Sequence, residues 1–190
     1  MKPFIKKNFF TIIWSALLVL VLFSTNAKAF FLKTLLHTGI FNATTKNESF
    51  QVQTAVFNNL SFTDNKGLRL NTSDLLGKVI FINFWATWCP PCIAEMGSVN
   101  ALYNKLKDNP RFVFIIVDVD TNNFPVSNSF MNKHQYNLPV YQIASSISEN
   151  LFTGTIPTTL IINSKGNLVQ KHEGIANYDT KDMLEFLKSL

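Results

Sequence analysis

Val79-Ile80-Phe81-Ile82-Asn83-Phe84-Trp85 runs directly into Ala86-Thr87-Trp88-Cys89-Pro90-Pro91-Cys92. The first seven residues form a nearly continuous apolar run of strand length. Such a strand is buried on both faces, which is the signature of the middle of a parallel sheet. Pro90-Pro91 then suits the first turn of a helix. From there Cys92, Met96, Val99, Tyr103 and Leu106 recur along one helical face, and Asn109-Pro110 closes it. Phe112 to Val117 is a second apolar strand. Strand, helix and strand together predict a right-handed crossover unit, hence an α/β fold.

The chain's only two cysteines, Cys89 and Cys92, lie where that strand gives way to the helix. Backbone N–H groups and the positive end of the helix dipole favour a thiolate at Cys89. Cys92, inside the first turn, is placed to attack a mixed disulfide formed at Cys89. Three plainer readings compete. A zinc site needs about four ligands, and His37, His134 and His172 are scattered without ligand spacing. A structural disulfide gains most from a long loop, and this one is minimal. Inert buried thiols would not need two prolines and a helix start. Redox chemistry is the reading the context favours. Trp85 and Trp88 are expected to shield the pair and offer a substrate an apolar surface.

Outward from this centre, Val52 to Phe62 and Gly67 to Leu70 read as an N-terminal β-hairpin around Thr63-Asp64-Asn65-Lys66. Asn71 to Asp74 offers capping side chains for a short helical turn ended by Gly77. Val126 to His134 reads as a helix, with His134 on its exposed face, and Leu138 to Ile143 as an extended piece. Thr158 to Ile162 and Leu168 to His172 are strands joined by Asn163-Ser164-Lys165-Gly166-Asn167. A closing helix is expected over Asp179 to Leu190. Asp118 and Asp120 end the second buried strand and are weaker candidates for lining the site, since a strand end commonly carries solvated Asp.

The 190 residues fit one domain with an appendage. Lys2, Lys6, Lys7 and Lys28 all fall within residues 1–29, which hold no acidic residue. Taking those four from the 17 basic residues leaves 13 against 12 acidic ones, so the formal charge of +5 belongs mostly to the leader. No electrostatic footprint for a nucleic acid remains. Phe9 to Phe23 is an apolar run broken only by Thr11 and Ser15, and Ala27-Lys28-Ala29 has the small-x-small pattern of a cleavage site. At ~1.5 Å per residue the run spans about 22 Å, short of the roughly 30 Å hydrocarbon core. Residues 1–29 therefore read as an export signal, cleaved in preference to being kept as a membrane anchor. Either way the folded part faces an oxidising compartment outside the cytoplasm, and the chain touches a membrane only if the segment stays uncleaved. Residues 30–50 read as a linker or loosely docked extension, and 51–190 as the catalytic domain.

With the motif in hand, the chain resembles the thioredoxin-like superfamily, and within it the exported TlpA/ResA branch of thiol-disulfide oxidoreductases. The matching words are Gly77-Lys78-Val79, Asn83 through Cys92, Glu95-Met96 and Ile156-Pro157-Thr158-Thr159, and they cover about residues 55–190. The resemblance implies a central mixed sheet flanked by helices, here with the added hairpin. It makes Cys89 the nucleophile, Cys92 the resolving thiol and Glu95 the buried acid beside them. Asn83 takes the place where cytoplasmic thioredoxins carry a buried Asp. Pro157 matches the superfamily's cis-proline, whose loop binds substrate backbone, so Trp88, Pro90, Ile156 and Pro157 are the expected substrate contacts. Gly97 departs from the pattern, since this branch usually has Pro after Glu-Met.

Spacing supports part of this independently. Glu95 is three residues after Cys92, on a neighbouring position of one helix face. A desolvated carboxyl there has a raised pKa and could accept the Cys92 proton, whereas a solvated helix Glu would not. The function expected is exchange of disulfides with protein substrates. As the branch generally works reductively, a membrane thiol-electron donor is implied, with apocytochrome c cysteines frequent among the substrates. No metal, nucleotide or haem is called for; the redox group is the Cys89–Cys92 disulfide itself. A disulfide-forming oxidase shares the motif, and a non-catalytic binding module with an incidental disulfide is the rival of another class. A peroxidase is disfavoured because Cys89 lacks a Thr-x-x-Cys setting.

Overall fold

The computed structural model describes residues 8–36, 41–43, 60–120 and 124–190. Two N-terminal helices, α1 (Phe9–Phe23) and α2 (Thr25–Leu36), come first. Then follow β1 (Ser61–Asp64), β2 (Arg69–Asn71), a 3₁₀ turn (Thr72–Leu75), β3 (Val79–Trp85) and α3 (Pro90–Leu106). The rest is β4 (Phe112–Asp118), α4 (Phe124–Lys133), β5 (Val140–Ile143), β6 (Thr158–Ile162), β7 (Leu168–Glu173) and α5 (Lys181–Ser189). The strands form one mixed sheet in the order β2-β1-β5-β4-β3-β6-β7.

The run that opened the motif is the middle of this sheet. β3 is parallel to β4 and antiparallel to β6, and every residue from Val79 to Trp85 is buried. Its side chains divide by alternation. Val79, Phe81 and Trp85 join a core with Cys92, Met96, Val99, Leu102 and Leu106 of α3 and Met183, Phe186 and Leu187 of α5. Ile80, Ile82 and Phe84 join a second core with Phe62, Leu75, Ile115, Val117 and Leu151. An apolar run without polar alternation is what a strand covered on both sides requires. Asn83 interrupts the first set, and so delivers a polar side chain beneath α3.

β1 and β2 pair antiparallel, with Phe62 opposite Leu70, and Asp64 Oδ1 accepts the backbone N–H groups of Lys66 and Leu68 at 2.8 Å each. Gly67 takes the left-handed φ of +79° that this turn needs. The strand expected over 52–62 is thus seen as four residues, and 52–59 lie outside the described residues. At the far side, β6 and β7 carry a register shift between Ile161 and Ile162. α5 starts two residues later than expected because Thr180 is its N-cap, its hydroxyl accepting the Met183 N–H at 3.1 Å. Thr180→Ala should lower stability by about 1 kcal/mol, read as a reduced denaturation midpoint.

Two pieces of the 30–50 segment meet the domain. α2 continues unbroken through Ala27-Lys28-Ala29 to Leu36 and packs along α3, with Ala29 and Leu36 buried. Asn42 forms a parallel bridge to Asn177, and the Asn177 N–H donates to the Phe41 carbonyl at 2.7 Å. Among the described residues no helix is long and apolar enough to cross a membrane.

Candidate active site

Cys89 is the residue that caps α3. Its φ and ψ of −88° and 105° are extended, its Sγ accepts the Cys92 N–H at 3.3 Å, and Pro90 occupies the first helical turn. A proline there sacrifices no intrahelical bond, since the first N–H groups of a helix have no partner in it. Cys89 and Cys92 are joined as a disulfide with Cα atoms 5.3 Å apart. Cys92 is completely covered, and what exposure the pair has, 3%, belongs to Cys89.

The two tryptophans part company. Trp88 is 59% exposed, and its indole N–H donates to Asp120 Oδ2 at 2.7 Å. Trp85 is wholly buried and packs against Phe130, so it supports the site from below and offers a substrate nothing. Trp85 belongs to the inward row of β3, whereas Trp88 lies beyond the strand. The aspartates also differ from solvated strand ends. Asp118 is buried, accepts hydrogen bonds from the Ser127 hydroxyl and the Asp120 N–H, and burial raises its pKa. Asp118 thereby fixes the start of the loop from which Asp120 holds Trp88.

Beneath the disulfide lies a buried polar cluster. Glu95 has no exposed surface; Asn83 Nδ2 donates to its Oε1 at 2.8 Å, and the Ala176 N–H to its Oε2 at 3.0 Å. Burial pushes its pKa up to about 8, against the lowering effect of those two donors. Asn83 Nδ2 also donates to Thr159 Oγ1 at 2.9 Å, and the Tyr178 hydroxyl to the same oxygen at 2.7 Å. Tyr178 is fully buried, and burial together with the Glu95 charge raises its phenol pKa well above the usual value. Ser98 ties the same region together, donating to the Glu95 carbonyl and accepting the Tyr178 N–H. The helix passes straight through Gly97, where a Cβ would stand 3.3 Å from the Tyr136 hydroxyl and 4.0 Å from Lys33 Nζ.

The Ile156–Pro157 bond is cis. Thr158 pairs with Phe84, so the register brings Pro157 level with Trp85, at the end of the sheet where Cys89 begins. Ile156 is half-buried and Pro90 half-buried, while Pro157 is buried and its carbonyl accepts the Gly174 N–H at 2.8 Å. The fold thus brings Cys89, Cys92, Trp88, Pro90, Ile156 and Pro157 to one end, with Glu95 below. Asp120 is a weaker candidate from its place at the strand end, and Ala176 and Tyr178 are additions. These two lie 81 and 83 positions after Glu95 and carry no local pattern that announces them. Among the described residues no group of three or more His, Cys, Asp and Glu side chains gathers as a metal centre.

Comparison with known proteins points to one family. A Redoxin family model matches residues 46–187. The thiol-disulfide oxidoreductase ResA of Bacillus anthracis is 35% identical over 134 residues, covering 70% of this chain and 75% of that protein. ResA of Bacillus subtilis is 33% identical over 113 residues, or 59% and 62% of the two chains. Among solved structures, a putative thiol-disulfide oxidoreductase from Bacteroides vulgatus superposes with a TM-score of 0.56 at 27% identity, over 68% of this chain and 89% of that one. An exposed lipoprotein thioredoxin from Streptococcus pneumoniae gives 0.55 at 25% identity, over 68% and 98%.

Proposed function

The chain belongs to the Redoxin family as a thiol-disulfide oxidoreductase of the ResA type, and from that premise we propose that it is an exported reductant of protein disulfides. The observation that carries the direction is the carboxyl buried behind the cysteine pair. That carboxyl is neutral up to about pH 8 and negative above it, so it never supplies the positive charge that would favour a thiolate, and the loop between the cysteines holds two prolines and no basic side chain. A pair whose reduced, ionised form is not stabilised has a low potential and gives electrons away.

The proposed reaction begins with the reduced pair. Cys89 thiolate attacks one sulfur of a substrate disulfide; the S–S bond breaks, and the second substrate sulfur leaves as a thiolate that takes a proton from solvent. Glu95 in its ionised form, reached near pH 8 and so close to the range in which a thiol gives up its proton, takes the proton of Cys92, which attacks Cys89 Sγ. The Cys89–Cys92 bond forms, the mixed disulfide breaks, and the first substrate sulfur leaves and is protonated. Two electrons have moved from the enzyme to the substrate, and a dithiol donor in the membrane restores them. Trp88, Pro90, Ile156 and Pro157 form the surface on which the substrate strand lies, and apocytochrome c cysteines are a substrate of the right chemistry. The N-terminal segment carries the domain out of the cytoplasm.

The deciding experiment is an equilibrium redox titration of the full chain, followed by tryptophan fluorescence in defined thiol buffers. A midpoint near ~−270 mV, the range of thioredoxin, is expected. One near roughly −120 mV, the range of strong periplasmic oxidants, would make disulfide formation the function instead.

A further inference from the structure

Both oxygens of Glu95 face hydrogen-bond donors, Asn83 Nδ2 and the Ala176 N–H. That setting suits a carboxylate. A carboxylic acid in the same place has an O–H with no acceptor, which is costly in a site without exposed surface. The Ala176 N–H is part of the backbone and cannot turn away. The Asn83 side chain can, because half a turn about its last torsion exchanges NH2 for C=O.

Two observations say that the site is built for that exchange. Asn83 Oδ1 is buried with no hydrogen-bond partner among the described residues, so the present orientation leaves the acceptor unused. Beside Glu95 the same nitrogen meets a hydroxyl, Thr159 Oγ1, into which Tyr178 donates. A hydroxyl both accepts and donates. With Tyr178 still donating, Thr159 accepts an Asn83 N–H as it stands, and gives its own proton to Oδ1 once the amide has turned.

We propose that Asn83 is a positioning residue whose amide turns over as Glu95 gains or loses its proton, presenting N–H to the carboxylate and C=O to the acid. The inference rests on the reading of Glu95 as the acceptor of the Cys92 proton. It supplies what that reading needs, a buried acid that changes charge without water. Each state leaves one end of the Asn83 amide unpaired, the C=O in one and the NH2 in the other, so neither is locked in. The ionisable groups around Glu95 are Cys92, one turn earlier on α3, and Tyr178 ahead of α5. His172 on β7 shares the row of Asn83 and Thr159, one strand beyond Thr159.

The test is NMR of the oxidised full chain in detergent, following the Asn83 side-chain protons and the Glu95 carboxyl carbon between pH 5 and 10. The Asn83 protons should move upfield on acidification with the midpoint of Glu95, and lose their cross-peaks to Thr159. Cross-peaks that persist on both sides of the titration would overturn the proposal. Asn83→Leu gives a second reading. If the amide turns, both charge states lose a hydrogen bond and the proton affinity of Glu95 changes less than about threefold. If Asn83 were a fixed donor, only the carboxylate would lose one, and the affinity would rise about tenfold or more. Should that variant not fold, the titration of the unsubstituted chain still decides. Failure of Glu95 as proton acceptor shows elsewhere, as an unchanged resolving step in Glu95→Gln.

Discussion

Cys89→Ser should bring reduction of a disulfide-bonded protein down to the uncatalysed rate, while Cys92→Ser should stop it one step later. The asymmetry follows from the helix start. Cys89 is the cap residue and carries what exposure the pair has, so it alone can meet an incoming sulfur. A serine hydroxyl at this place has no thiolate form and cannot attack. Cys92 is covered completely, and its role begins when Cys89 is already bound to substrate. Cys92→Ser should therefore accumulate a mixed disulfide at Cys89, visible as a mass increase equal to the substrate and reversed by a small thiol. Were Cys89→Ser the variant that traps substrate, the two roles would have to be exchanged. A partner that still binds Cys89→Ser with unaltered affinity, in a protein that never turned over, would identify a binding module instead.

Glu95→Gln should slow the resolving step by about 10²- to 10⁴-fold, the usual contribution of a positioned proton acceptor. It should also remove most of the pH dependence of stability. The native state holds the Glu95 proton up to about pH 8, whereas the unfolded chain releases it near the ordinary value of 4.5. Between those values the native state binds more protons, so stability falls as pH rises through the window and is level below it. The whole span is on the order of 5 kcal/mol, a large share of what a domain commonly has. Urea denaturation of the oxidised chain at pH 5, 7 and 9 should show the decline, and Glu95→Gln should flatten it. A wild-type curve that is level or rises over this range would mean that burial does not hold the proton on Glu95 in the native state.

How much of this is legible in the sequence depends on which contacts are local. β3, α3 and β4 are, because a run apolar on both faces and a stripe at helical spacing each state their burial directly. Glu95 is partly legible: its spacing from Cys92 sets the face it shares, but its burial comes from the sheet above and from Ala176. Tyr178 is illegible, since only the return of the chain past α3 brings its hydroxyl to Thr159. α2 misleads outright. Its large residues Phe30 and Phe31 are 74% and 55% exposed, while Ala29 and Leu36 make the contact with the domain. A segment that buries one alanine and one leucine while exposing two phenylalanines does not read as a docked helix. Trp85 and Trp88 fail in the opposite way, looking equivalent in sequence and lying one inside and one outside the core.

The strand order has a further consequence, for what the molecule does when crowded. An open sheet has two free margins, and each is a template on which another chain can add a strand and begin a fibre. Among the described residues one margin is β2, only three residues long. The other, β7, places Lys171 and Glu173 side by side as an ion pair at 3.0 Å, next to the shift in its pairing with β6. A short margin and a charged, irregular one are poor templates. The long, flat and apolar strands, β3 and β4, are sealed in the interior, so the segments with most tendency to aggregate are the last that a neighbouring molecule could reach.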